Sequence, residues 1–328
     1  MRCISRAKSV ALVCVASISL FTGGCIGGKG ATPVTAYELK NYNQDLYQGK
    51  LYAEELCVAQ NDVALEGYTE DTELHSAALF DLTGERVLYS YKAHERLYPA
   101  STTKIMTALL AIENANLDDQ VTISGNADAS SFPADAQVCG LAKGEVWTLR
   151  DLLGALLLYS GNDAATAIAE YVGGSEEAFV NMMNRRAQEL MANGTHFMNP
   201  HGLHDDNHYT TAYDLYLIFN ECIKHEDFVN IIQSEAYTAY YTDVDGNSQE
   251  ALFTPTNLYA QGEVDVPENV TIVGGKTGTT DEAGYCLILM EKDSSDNPYI
   301  SIVMGASEKP VLYEDMTSLI EAIPSGQQ

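Results

Sequence analysis

The chain has 328 residues, 46% hydrophobic and 20% charged, the proportions of a globular protein with room for one large domain or two modest ones. Its formal charge of −28 excludes nucleic-acid binding as a main role, because phosphate recognition runs on Lys and Arg clusters absent here. None of the seven cysteines forms a CxxC pair, so no metal site is expected.

In chain order, residues 1–24 read as an export signal. Arg2, Arg6 and Lys8 give a positive start, and residues 9–21 form an apolar run too short to favour a spanning helix. Thr22, Gly23 and Gly24 supply small residues at a cleavage point, and Cys25 follows directly. This junction resembles a bacterial lipoprotein processing site, although Thr22 stands where such sites usually carry Leu, Val or Ile. The resemblance implies a lipid on Cys25 that holds the chain to the membrane, with ordinary cleavage as the alternative. Residues 25–70 are polar and lack apolar periodicity, which reads as a tether and lead-in. Residues 71–328 are expected to form the folded domain. Export permits disulfides among Cys57, Cys139, Cys222 and Cys286, but no pairing follows from the sequence. Cys286 lies in an apolar strand pattern and reads as a buried free thiol.

Residues 76–80 and 86–89 are short strand patterns around the turn Asp81-Leu82-Thr83-Gly84, a predicted hairpin. From Ser101 the pattern becomes helical, with Ile105, Leu109 and Ile112 at helix spacing. Helical stretches are predicted over 149–159, 163–172, 176–191 and 211–223. Strand patterns return at 270–275, 284–291 and 299–304, and a helix over 314–323 closes the chain. Strands at both ends around a helical middle predict an α+β fold whose terminal segments share one antiparallel sheet.

Three short segments carry chemistry. Ser101 and Lys104 open a helix and fall on one face, a spacing that suits a serine nucleophile and a lysine base. The lysine serves only when neutral, which burial and a second cation favour. S-x-x-K alone is common as a capping serine with a solvated lysine. Ser160-Gly161-Asn162 lies between two helices, and Lys276-Thr277-Gly278 lies on a strand between glycines. The three elements in this order form the joint signature of class A β-lactamases and penicillin-binding proteins. An acyl-transfer site needs a nucleophile, a base, oxyanion donors and a cation for the substrate carboxylate. Ser101 and Lys104 fill the first two roles, and Ser160 with Lys276 passes a proton to the leaving group. Asn162 holds the substrate amide or Lys104, and the N–H groups of Ser101 and Thr279 face the oxyanion. Thr277 offers a hydroxyl to the carboxylate, and Gly275 and Gly278 are expected to give a substrate backbone room beside the strand.

With Asn199-Pro200-His201-Gly202-Leu203 and Ala283-Gly284-Tyr285 added, the chain resembles the serine-type D-Ala-D-Ala carboxypeptidases among low-molecular-mass penicillin-binding proteins, over roughly 76–306. The resemblance implies a penicillin-binding/β-lactamase-like transpeptidase fold, an antiparallel sheet flanked by helices with a helical subdomain. It implies removal of the terminal D-Ala from peptidoglycan stem pentapeptides through an acyl-enzyme on Ser101. β-Lactams would acylate the same serine, with no cofactor, as a monomer outside the cytoplasmic membrane. Thr277, Gly278 and Thr279 would bind substrate. Relatives often place an Arg near the end of the last core strand for the substrate carboxylate. Here no Arg follows Arg186, and Lys309 is the substitute the sequence offers.

Competing readings are a class A-like β-lactamase, a DD-endopeptidase and a non-catalytic sensor of the same fold. The β-lactamase needs a deacylating Glu, and Glu177 fits the bare E-x-x-x-N pattern too soon after Asn162. A sensor needs a route across the membrane, and no second apolar span is present. A Ser-His-Asp triad with His201 or His208 and Asp214 competes with the lysine base. The histidines are expected to pack the segment under the site instead, and Asp163 to start a helix.

Overall fold

A computed structural model describes residues 55–65 and 76–324. The expected export signal, Cys25 and most of the expected tether lie outside the described residues.

Strands β1 (Ser76–Asp81) and β2 (Arg86–Tyr91) form the expected hairpin. The other edge of β1 pairs with the last strand among the described residues, setting Leu79 opposite Ser301. The resulting sheet has the order β2-β1-β9-β8-β7, antiparallel throughout, with β7 (Val270–Thr280), β8 (Gly284–Asp293) and β9 (Pro298–Ala306). The first and last strands of the described residues therefore lie side by side in one sheet, as expected. Alternation along β8 sorts its side chains into two cores. Cys286, Ile288 and Met290 face the helical layer, while Leu287 and Leu289 face the closing helix.

The helical layer is built around α1 (Lys104–Asn114), whose residues from Lys104 to Ala111 are all buried. A helix apolar on every side must be surrounded. Against it pack the turn Ala155–Tyr159 that continues α2 (Leu149–Gly154), then α3 (Asn162–Gly173), α4 (Glu176–Glu189), α5 (Ala212–Cys222) and α6 (Glu226–Ile232). Thr148, Ser175 and Thr211 cap α2, α4 and α5, each accepting from a first-turn N–H.

A second sheet, β3 (Gln120–Thr122), β4 (Val146–Thr148), β5 (Tyr237–Thr242) and β6 (Ser248–Phe253), was not legible in the sequence. It seats Trp147 flat on Tyr241 at 4.2 Å, over the helical core. A short α7 (Leu258–Gln261) links it to β7. The closing helix α8 (Lys309–Glu321) begins earlier than 314, because Pro310 falls in its first turn, where a missing N–H is harmless. Its Leu312, Met316, Leu319 and Ile320 cover the outer face of the sheet, each worth about 1.5–3 kcal/mol of burial.

Residues 55–65 of the expected lead-in pack on this body. The Cys57 N–H donates to the Tyr216 hydroxyl at 2.9 Å, and the Tyr213 hydroxyl donates to the Cys57 carbonyl at 3.0 Å. Cys57, Cys139, Cys222 and Cys286 are free thiols, Cys286 buried as expected. Among the described residues, no helix is long and apolar enough to cross a membrane.

Candidate active site

Ser101 lies on a 3₁₀ turn, Ala100–Thr103, and Lys104 is the first residue of α1. In a 3₁₀ turn side chains three apart eclipse, so the lysine rises directly over the serine. Nζ stands 2.9 Å from the Ser101 Oγ. The turn is held by Thr102, whose hydroxyl donates to the Pro99 carbonyl, and by Thr103, whose hydroxyl donates to the Ala100 carbonyl. Ala100 itself takes a left-handed φ of 47°, a strained choice for a residue with a Cβ.

Lys104 is fully buried, and its Nζ has two further neighbours, Asn162 Oδ1 at 2.7 Å and the His201 carbonyl at 2.6 Å. Both are acceptors only. A neutral amine has two N–H groups and one lone pair, so two donations leave the lone pair for the Ser101 hydroxyl. Burial, and then the nearby charge of Lys276, hold the Lys104 amine well below its ordinary range against the pull of Asp163 and Cys139.

The second lysine sits across the cleft on β7. Lys276 Nζ donates to the Ser160 Oγ at 2.9 Å and to the Thr277 carbonyl at 2.9 Å. Burial lowers its pKa to about 7. Ser160 follows a π-helical turn, Ala155–Tyr159, and has a left-handed φ of 72°. Because Ser160 accepts from Lys276, its own proton is free to be passed on. Asp163 has the expected structural part. Its buried carboxylate accepts from the N–H groups of Cys139, Gly140 and Leu141 at 2.9–3.0 Å and fixes the loop beside Asn162.

The glycines do something other than expected. A Cβ on Gly278 would lie 2.9 Å from the Pro99 carbonyl oxygen and 3.0 Å from the Ser101 nitrogen. One on Gly275 would lie 1.9 Å from the Ile288 carbonyl oxygen. The room they leave is filled by the nucleophile's own turn and by β8, not by a substrate backbone. Gly202, at φ 91°, closes the other side, where a Cβ would lie 1.9 Å from the Ala100 carbonyl oxygen.

Of the expected substrate-side residues, Thr277 is half-buried and Thr279 exposed on β7, flanking Gly278 beside Ser101. Lys309 is not brought in. It stands exposed in the first turn of α8, which packs on the face of Leu287 and Leu289, and none of the hydrogen bonds joining the five expected catalytic residues reaches it. Glu177 is exposed on α4. The His201 and His208 rings are buried and pushed down by that burial to about 3 and about 4, so both are neutral at pH 7. His208 Nδ1 accepts from the Met198 N–H, so its Nε2–H donates to Thr103 Oγ1 at 2.8 Å. Asp214 accepts from Thr195 and forms no triad with them. Sequence reasoning missed two contributions, the His201 carbonyl and Thr256, whose hydroxyl lies 2.5 Å from that of Thr277.

One possible cation cluster occurs among the described residues, Glu113, Glu221 and His225, at the far end of α1 from Ser101. Arg186 already pairs with both carboxylates, at 2.6 and 3.3 Å.

An antiparallel sheet backed by helices, with a serine and a lysine at the head of the central helix and a second lysine on the edge strand, defines the penicillin-binding class of serine acyl-transfer folds. The crystal structure of the Streptomyces K15 DD-transpeptidase superposes with a TM-score of 0.71 at 28% identity, covering 78% of this chain and 98% of that one. Penicillin binding protein 5 from Haemophilus influenzae gives 0.68 at 27% identity, over 78% of this chain and 72% of that one. Residues 64–308 match the family model described as D-alanyl-D-alanine carboxypeptidase, and the chain belongs to that family, peptidase S11. The D-alanyl-D-alanine carboxypeptidase DacF of Bacillus subtilis is 34% identical over 76% of the chain and 61% of its own length. DacC of Escherichia coli is 31% identical over 74% of the chain and 59% of its own length. The chain thus spans about six-tenths of the length of these two relatives.

Proposed function

We propose that this protein is a serine D-Ala-D-Ala carboxypeptidase that trims the last D-Ala from peptidoglycan stem pentapeptides. The observation that carries the reading is the buried Lys104 amine, with two acceptor-only neighbours and its third contact at the Ser101 hydroxyl. Lys104 takes the Ser101 proton as Oγ bonds to the carbonyl carbon of the penultimate D-Ala. The carbonyl π pair moves onto oxygen, held by the N–H groups of Ser101 and Thr279. Collapse breaks the C–N bond, and the proton travels from Lys104 through Ser160, beside Lys276, to the departing amine. Water then repeats the path with Lys104 as base, breaking the ester and returning the proton to Ser101. Asn162 fixes Lys104, while Thr277 and Thr279 grip the terminal carboxylate. A β-lactam enters the same route, but its leaving nitrogen stays tethered after ring opening, so the acyl-enzyme persists.

The test is D-Ala release from a pentapeptide stem analogue. Ser101→Ala and Lys104→Ala are each expected to lower turnover by roughly 10⁴-fold or more, and penicillin is expected to add its mass to Ser101 alone. Release that survives Ser101→Ala, or an adduct on another side chain, overturns the reading.

The proposal extends to place. The apolar run over 9–21 and the small residues Thr22, Gly23 and Gly24, followed by Cys25, support export and a lipid anchor on the outer face of the membrane. Metabolic labelling with a fatty-acid analogue should mark the wild type and not Cys25→Ala; equal label on both rules the lipid out.

A further inference from the structure

Thr256 lies on the link between β6 and α7, outside the three motifs. Its N–H donates to the Leu158 carbonyl at 3.2 Å, two residues before Ser160. Its hydroxyl meets the Thr277 hydroxyl at 2.5 Å, next to Lys276 on the opposite wall. One residue thus ties both walls of the cleft. The link is itself anchored: Asn257 accepts from the Tyr259 N–H, and the Gln261 side-chain amide donates to the Pro255 carbonyl at 2.8 Å.

Hydroxyl protons fix a direction here. A carboxylate only accepts, so Thr277 must point its single proton at the substrate in order to hold it. Its contact with Thr256 then requires Thr256 to be the donor. The chain runs from the Thr256 hydroxyl to the Thr277 hydroxyl to the carboxylate, and each link polarises the next. The need is acute in this protein. Arg86 pairs with Asp81, Arg96 lies over the Tyr209 ring, and Arg150 pairs with Asp118 and Asp227. Arg185 is exposed on α4, Arg186 pairs with Glu113 and Glu221, and no arginine follows it in the 328-residue sequence. Lys276 is already directed at Ser160 and the Thr277 carbonyl.

We infer that Thr256 is a positioning residue that turns the Thr277 hydroxyl toward the terminal carboxylate of the substrate. It takes part of the load that a guanidinium fork would otherwise carry. The inference rests on the carboxypeptidase reading of the Ser101 site.

The experiment compares acylation of Ser101 by a penicillin free acid and by its methyl ester, in the full chain. Thr256→Val keeps the shape and the backbone N–H but removes the donor. It is expected to slow the acid roughly tenfold and to leave the ester rate unchanged. For a stem peptide it should raise KM with kcat nearly constant. Thr256→Ser should restore wild-type rates. In a Thr277→Val background, Thr256→Val should add nothing further. Equal losses for acid and ester, failure of Thr256→Ser to restore, or additive effects of the two valines would each overturn the inference. Loss of the carboxypeptidase reading has a different sign, namely no adduct on Ser101 in the wild-type protein.

Discussion

On the proposed mechanism, the two buried amines Lys104 and Lys276 divide their work by protonation state. Lys104 must be neutral to take a proton, and its contacts suit that form. Lys276 helps while charged, because its charge is what lowers Lys104 electrostatically. With its pKa lowered to about 7, Lys276 loses that charge as the pH climbs through neutrality. The profile of kcat/KM should therefore be bell-shaped: an acid limb as Lys104 loses its proton, and an alkaline limb near 7 as Lys276 loses its own. Lys276→Arg tests the assignment, since a guanidinium stays protonated throughout this range. Turnover should fall by about 10–100-fold, because a planar fork fits poorly between the Ser160 hydroxyl and the Thr277 carbonyl. The alkaline limb should nevertheless move up by two or more pH units. An alkaline limb still near 7 in the arginine variant would assign it to another group. The meeting of Ser101 with Lys104, of Lys104 with Asn162 and of Ser160 with Lys276 was legible in the sequence, because the three motifs are written in those side chains. The His201 carbonyl was not, because every residue has one. Thr256 was not, because a threonine on a link shows its meaning only when folding sets it against Thr277.

At the scale of elements, long apolar patterns were legible and short or strained ones were not. β1, β8 and β9 are buried along most of their length, so their sequences are nearly continuous apolar runs between turn residues. β3 and β4 have three residues each, too few for a period to emerge. β5 and β6 mix Tyr, Thr, Gln and Glu, because one face of that hairpin stays in water. Two of the predicted helices have a tighter or looser turn at the site. The expected helix at Ser101 begins as a 3₁₀ turn, and the stretch over 149–159 ends as a π-helical turn that delivers Ser160 left-handed. Local propensity has no term for either. Each is imposed by what it abuts: Gly202 and Gly278 against the first, and the Thr256 N–H bonded to Leu158 within the second. Irregular winding at Ser101 and Ser160 lets two hydroxyls converge on two amines from separate elements.

For the whole molecule, the pairing of β1 with β9 was foreseeable from the strand patterns at 76–80 and 299–304. Three buried groups then give stability opposing slopes with pH. Lys104 and Lys276 are held below their unfolded values, so between about 7 and 10.5 the unfolded chain binds more protons at Lys276, and stability rises with pH there. Glu291 is the reverse. It shares the β8 face of Leu287 and Leu289 and is fully buried, and burial pushes its carboxyl well above 4.5, against the opposing pull of Ser301. Above 4.5 the folded protein therefore holds a proton that the unfolded chain has lost. This contribution to stability is full below 4.5 and declines as the pH rises toward the folded value. Glu291→Gln keeps the shape of the protonated acid and cannot ionise. Below pH 4.5 its Tm should match the wild type, and above that its advantage should grow by about 1.4 kcal/mol per pH unit, about 3–6 °C each for a domain of this size. The gain should level off once the pH passes the folded pKa of Glu291. Thermal unfolding of both proteins from pH 4 to 8 measures it. A difference in Tm that stays constant across that range would mean that Glu291 ionises in the folded state as easily as in the unfolded chain.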